Sequence, residues 1–195
     1  RRLRQLNPGA LRRGITVEQI RPGRSAVEVL ARDRAGAPLR LTTSLLVGCD
    51  GKDSLVRQAA GILYDGKPYP DAYVMGDFDD NTDFGADARL FLTGRGIVES
   101  FPLPGGIRRW VMRLGAYKKQ PELASFCREI RRRTGHELAG VPNHMLGPFG
   151  IQHYQARRFV SGRVVLAGDA AHVVSPIGGQ GMNSGWMDAR DLAHA

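Results

Sequence analysis

The segment from Gly162 to Asn183 constrains the fold more than any other part of the chain. Arg163-Val164-Val165-Leu166-Ala167 is short and almost wholly apolar, as a strand buried on both faces of a parallel sheet is. Gly168 ends it and permits a tight turn, because a residue without Cβ reaches backbone conformations that others avoid. Asp169 then falls at the carboxyl edge of the sheet, where open α/β sheets bind their ligands. Pro176 interrupts the chain, and Gly178, Gly179 and Gly181 follow it. These glycines leave the backbone bare, so a flat ligand can approach it. From Met182 to Ala195 the pattern reads as a helix, whose free N–H groups and positive dipole end favour negative charge. A carboxylate able to accept from sugar-like hydroxyls, a bare backbone and a helix start together describe a slot for a planar, anionic ligand. The competing reading is a glycine-rich connection in which Asp169 only caps a helix.

A second segment ends in the same way. Leu45-Leu46-Val47-Gly48-Cys49 is continuously apolar and runs into Asp50-Gly51. Ser54 or Asp53 can cap a short helix reaching Ala60, with Gly61 as its stop. Alone, Asp-Gly after a strand is an ordinary turn.

The material between and before these segments is β-rich. Ile15 to Ile20, Ala26 to Ala31 and Leu39 to Thr42 alternate and are separated by Pro22-Gly23 and Ala35-Gly36, predicting a three-stranded meander. Strands are expected at Tyr73–Phe78, Arg89–Thr93, Ile97–Phe101 and Arg109–Leu114. A helix follows, with Pro121 at its first position, Leu123, Phe126, Cys127 and Ile130 on one face, and Gly135 at its end. The organisation is therefore an α/β layer, α+β overall, interrupted by an inserted sheet. Residues 1–66 and 150–195 form the layer, and residues 67–149 form the insertion with its helix.

Composition narrows the function classes. The 195 residues, 42% hydrophobic and 24% charged, are those of a globular protein with a real core. No run of roughly 18 apolar residues predicts a membrane-spanning helix, and no apolar stretch follows the basic N-terminus as in a signal peptide. The chain lacks an initiator Met and stops within a helix-like stretch, so both ends read as cuts. Cys49 and Cys127 are expected to be reduced and buried in a cytoplasmic protein. The net charge of +9 comes from residues spread along the chain, of which only Lys52, Lys67, Lys118 and Lys119 are lysines. The densest run, Arg128 to Arg133, falls on the amphipathic helix as a solvated face. No aromatic-interleaved motif accompanies it, so nucleic acid is not the expected partner.

Taken together, the two strand-end segments resemble the class A flavoprotein monooxygenases, the aromatic-ring hydroxylases with the p-hydroxybenzoate hydroxylase fold. Asp50, Gly51, Ser54 and Arg57 match the family's Asp-Gly fingerprint. Gly168 to His172, Pro176, Gly179, Gly181, Met182 and Asn183 match its Gly-Asp fingerprint. The family's Gly-x-Gly-x-x-Gly loop does not occur here, so this chain resembles a piece lacking that loop, and such a piece is expected to hold the cofactor poorly by itself.

The resemblance implies a partial FAD-binding, Rossmann-like layer carrying an inserted substrate sheet. Asp169 would bond the ribityl chain of FAD, and the backbone of Gly181, Met182 and Asn183 would face the pyrimidine edge of the flavin. Pro176 would lie near the carbon that reacts with oxygen, while Asp50, Gly51 and Arg57 would order the cofactor and the nearby nicotinamide surface. His172 is expected to be a packed, hydrogen-bonded residue. The implied reaction uses NAD(P)H and O2 to hydroxylate an aromatic or polyketide-like small molecule, the cofactor supplying the difficult chemistry. Phe91, Phe101, Trp110 and Met112 are candidate walls of the substrate pocket. Isoprenoid-type reductases and epoxidases share the flavin site and remain alternatives. Halogenation is disfavoured, because Ile97 to Pro102 holds no tryptophan.

Overall fold

The computed structural model describes residues 2–115, 119–174 and 180–194. Pro176, Gly178, Gly179 and Lys118 lie outside the described residues. In chain order the elements are α1 (Arg2–Leu6), β1 (Thr16–Pro22), β2 (Val27–Arg32), β3 (Pro38–Thr43), β4 (Leu46–Gly48) and α2 (Leu55–Ala59). They are followed by β5 (Tyr64–Asp79), β6 (Arg89–Thr93), β7 (Gly96–Leu103), β8 (Ile107–Leu114), α3 (Leu123–Thr134) and β9 (Asn143–Ala156). The chain closes with β10 (Val160–Ser161), β11 (Val164–Leu166), a 3-10 turn (Gly168–Ala170), β12 (His172–Val173) and α4 (Gln180–His194). Two compact units result, Arg1–Lys67 with His153–Ala195, and Pro68–Gln152; β5 and β9 are the strands along which the chain passes from one to the other. Among the described residues no helix is long and apolar enough to cross a membrane.

In the first unit, β1, β2 and β3 form the antiparallel meander that their alternation predicts, with Val27, Val29 and Ala31 of β2 buried. β4 and β11 pair in parallel, Leu46 with Val164, Val47 with Val165 and Gly48 with Leu166. A parallel pair needs a crossover connection, and here the connection contains the whole second unit. β10 flanks β11, so β4 has one neighbour among the described strands. That edge position corrects one expectation: Leu45 is 51% and Val47 39% exposed, not enclosed on both faces. Gly48 is required by packing, since a Cβ there would stand 2.7 Å from Val56 Cβ of α2. Val56, Ile62, Val164, Leu166, Ala170 and Ala171 join Ile20, Val27 and Val29 in the core.

In the second unit the strands run in the order β9-β5-β8-β7-β6. One face of this sheet packs on α3, so Val74, Phe78, Val98, Trp110 and Met112 meet Phe126, Cys127 and Ile130. The other face carries Tyr73, Val111 and Ile151 with Met75, Ile97, Phe101 and Phe149. Glu122, not Pro121, borders α3: its backbone is extended, and Pro121 therefore lies before the cap. Gly135 ends the helix in the left-handed region, φ 79°, its N–H donating to the Arg131 carbonyl. The basic run on α3 is mostly solvated, but Arg133 is an exception. Its side chain is 8% exposed, spanning Glu129 and the Arg113 carbonyl. Arg108 is fully buried and pins the loop after β5 through Asp80, Gly85 and Asp87.

Ile130 has no exposed surface, so Ile130→Ala is expected to lower the unfolding free energy by about 2–5 kcal/mol. Leu123→Ala, on the same helix but 41% exposed, is expected to cost about 0.5 kcal/mol or less. Urea denaturation followed by far-UV circular dichroism distinguishes the two.

Candidate cofactor site

β4 and β11 end side by side, and each is followed by a turn of glycine and aspartate. Gly51 (φ 79°) and Gly168 (φ 59°) both occupy the left-handed region, which costs a residue bearing Cβ roughly 1–2 kcal/mol. The space where a Cβ would stand is open at both. A cleft of about 570 Å³ lies between these turns and α4, lined by Cys49, Gly51, Gly168, Asp169, Gly185 and Ala189 among others. Cys49 is consequently exposed, a departure from the expected burial, whereas Cys127 is buried; both are free thiols.

The Asp50 turn is built by helix capping. Ser54 caps α2, its hydroxyl oxygen accepting the Arg57 N–H at 2.9 Å and its O–H donating to Asp50. The second carboxylate oxygen of Asp50 accepts the Val56 N–H at 3.1 Å. Both oxygens thus serve the first turn of α2, so Asp50 acts here by shaping the loop.

Arg57 then ties this turn to the other one. It is 6% exposed; Nη2 donates to the Lys52 carbonyl at 2.8 Å and Nη1 to the Ala170 carbonyl at 3.1 Å. Its guanidinium sits 3.6 Å above the centroid of Tyr64, within cation–π range. The Tyr64 hydroxyl donates to the Asp169 carbonyl at 2.7 Å, and its ring stacks on Tyr154. Burial raises the Tyr64 pKa against a smaller opposing pull from Arg57, which keeps the hydroxyl a donor.

A third clamp comes from α4. One carboxylate oxygen of Asp188 accepts the Gly168 N–H at 2.7 Å and lies 2.8 Å from His172 Nε2. The His172 ring also rests against Phe159. Asp188 escaped the sequence reading, although a signal was present. Gly181, Gly185 and Asp188 share one helix face by spacing, and that face meets the turn: a Cβ on Gly185 would stand 3.4 Å from Gly168 Cα.

Within this frame the Asp169 side chain is exposed to the cleft, and its carboxylate accepts no hydrogen bond from a described residue. Gly181, Met182 and Asn183 lie in the first turn of α4, where backbone N–H groups have no partner within the helix. Met182 is 66% exposed. These three do not line the cleft; Gly185 and Ala189 do. Pro176 and Gly179 lie outside the described residues. The four pocket-wall candidates divide between the faces of the second unit's sheet. Phe91, Trp110 and Met112 belong to the α3 side, and Phe101 to the other. Trp110 is fully buried and stacks on His136 with its indole N–H unpaired. Burial lowers the pKa of that histidine.

Open glycine positions, a free carboxylate at the sheet's carboxyl edge and a helix start suit a dinucleotide flavin, and the comparisons agree. Residues 3–195 match a family model described as an FAD binding domain. Rifampicin monooxygenase of Streptomyces venezuelae is 31% identical over 187 residues, 89% of this chain and 39% of that protein. The 6-methylpretetramide 4-monooxygenase of Streptomyces rimosus is 35% identical, covering 83% of this chain and 31% of its own length. The crystal structure of CabE, an aromatic hydroxylase from angucycline biosynthesis, superposes with a TM-score of 0.72 at 31% identity, over 91% of this chain and 37% of that one. The chain belongs to the FAD-binding-domain family of class A flavoprotein aromatic hydroxylases, with their p-hydroxybenzoate hydroxylase-like fold. It spans less than two-fifths of the length of these relatives.

Arg57→Met leaves two carbonyls without their charged donor. The expected loss of stability is about 3 kcal/mol, from two charge-assisted bonds. Urea denaturation measures it, and faster amide exchange at Ala171, whose N–H bonds the Gly168 carbonyl, reports the loosened turn. Arg57→Lys recovers only part, because an ammonium does not reproduce the planar fork.

Proposed function

We propose that the protein to which this chain belongs is an FAD-dependent monooxygenase that uses NAD(P)H and O2 to hydroxylate an aromatic or polyketide-like small molecule. It acts in the cytoplasm, where NAD(P)H is supplied. The observation that carries this reading is the free Asp169 carboxylate, presented at the carboxyl edge of a parallel strand pair beside an open cleft. Bound FAD would supply the redox chemistry that joins nicotinamide oxidation to oxygen activation.

The chain's own residues bind and orient. Asp169 accepts hydrogen bonds from the ribityl hydroxyls, and it is free to do so because Tyr64 holds only its backbone carbonyl. Gly51 and Gly168 keep the cleft clear of side chains. By the resemblance, the N–H groups of Gly181, Met182 and Asn183 at the start of α4 would face the flavin's pyrimidine edge, where a helix N-terminus favours negative charge. Pro176 belongs by resemblance to the oxygen side of the ring. Arg57, Asp50 and Asp188 hold the two turns in register without needing to touch the cofactor. The sheet of the second unit supplies the substrate wall, with the face opposite α3. Phe101 lies on that face, whereas Phe91, Trp110 and Met112 serve the core.

In the full-length protein, Asp169→Ala is expected to weaken FAD binding about 10- to 100-fold, the equivalent of one lost charge-assisted hydrogen-bonding group. Asp169→Asn retains part of the affinity. Titration of the apoprotein against flavin fluorescence reads both, and unchanged affinity in the alanine variant would refute the ribityl assignment.

A further inference from the structure

On the sheet face opposite α3, Glu99 is a carboxylate that no described residue balances. In antiparallel strands, directly opposed residues share a face. The register sets Glu99 opposite Val111 on one side and Leu90 on the other, with Met75 beyond Val111. The adjoining rows are Phe101–Arg109–Asp77 and Arg113–Tyr73. Glu99 therefore stands among apolar side chains, between two rows that each hold an arginine.

Neither arginine is available to it. Arg109 forks onto Asp77 through Nε at 2.7 Å and Nη2 at 2.8 Å. Arg113 Nε bonds Asp71 at 2.7 Å. Glu99 makes no ion pair and accepts no hydrogen bond from a described residue, although it is half-buried. Burial alone raises its carboxyl pKa; no neighbouring charge pulls it down. A half-buried carboxylate without a partner costs stability, and such uncompensated groups concentrate where a ligand supplies the missing partner.

We infer that Glu99 is a specificity-determining residue that accepts a hydrogen bond from a hydroxyl of the substrate, selecting neutral hydroxylated rings over rings that bear a carboxylate. This rests on the reading that the sheet forms the substrate wall. Partly buried Met75, Phe101 and Ile97 border the carboxylate with apolar groups, and buried Val111 lies opposite it. A substrate carboxylate would have to compete for guanidinium groups that Asp77 and Asp71 already engage. It also meets the residual negative charge of Glu99, a repulsive element of the kind that sharpens discrimination.

The test uses the full-length holoprotein and three probes, 2-naphthol, 2-methoxynaphthalene and 2-naphthoate, with binding read by equilibrium dialysis at neutral pH and FAD content read separately. The wild type is expected to bind 2-naphthol about tenfold tighter than the methoxy compound, as one hydrogen bond to a charged acceptor implies, and 2-naphthoate weakest. Glu99→Leu abolishes the preference for the hydroxyl. Glu99→Gln, nearly the same shape without the charge, gains affinity for 2-naphthoate while FAD content stays at the wild-type level. If both variants keep the wild-type ranking, the assignment of Glu99 is overturned. If the ranking responds as expected but the protein takes up no FAD, the hydroxylase reading fails and the assignment stands.

Discussion

The buried guanidinium of Arg57 is the interaction on which the rest of the site depends. Two parallel strands more than a hundred residues apart in sequence each end in a turn, and a turn by itself is soft. Arg57 bonds the carbonyl of Lys52 in one turn and of Ala170 in the other, while its flat face rests on Tyr64. Tyr64 in turn holds the carbonyl of Asp169. A planar group with several fixed donors suits such a clasp better than an ammonium does. The bonds fall on backbone carbonyls, so they position the loops while leaving the Asp169 side chain free.

A second division of labour runs through the sheet of Pro68–Gln152. Alternation along each strand sends one set of residues to α3 and the other to the opposite face. The α3 side holds the buried Phe78, Trp110, Phe126 and Ile130 of one core. The opposite side mixes aromatic and aliphatic groups with ion pairs and, among the described residues, the unpaired Glu99 carboxylate. The same strands thus build the α3 core with one face and present mixed apolar and charged groups on the other.

Much of this was legible in the residues. The apolar runs ending in Asp50-Gly51 and Gly168-Asp169 announced the strands that pair in parallel, and glycine spacing announced a helix start. Less legible were roles that depend on what lies across space. Asp50 stood out as a cofactor residue, yet its carboxylate is engaged by Ser54 and Val56. Asp188, twenty residues beyond Gly168, holds that glycine's N–H, and linear distance concealed it. Trp110 and Phe101 are both large and aromatic and lie on adjacent strands; only the parity of the register separates core from candidate pocket wall.

The sequence by itself determined the strand ends, the glycine turns, the meander and the amphipathic helix, because these follow from local periodicity and from what a missing Cβ permits. The tertiary structure decided which charges are already paired, which carboxylates remain free, and which sheet face is covered. Those properties belong to neighbours brought together by folding, and burial and hydrogen bonding act over a few ångströms of space with no regard to separation along the chain.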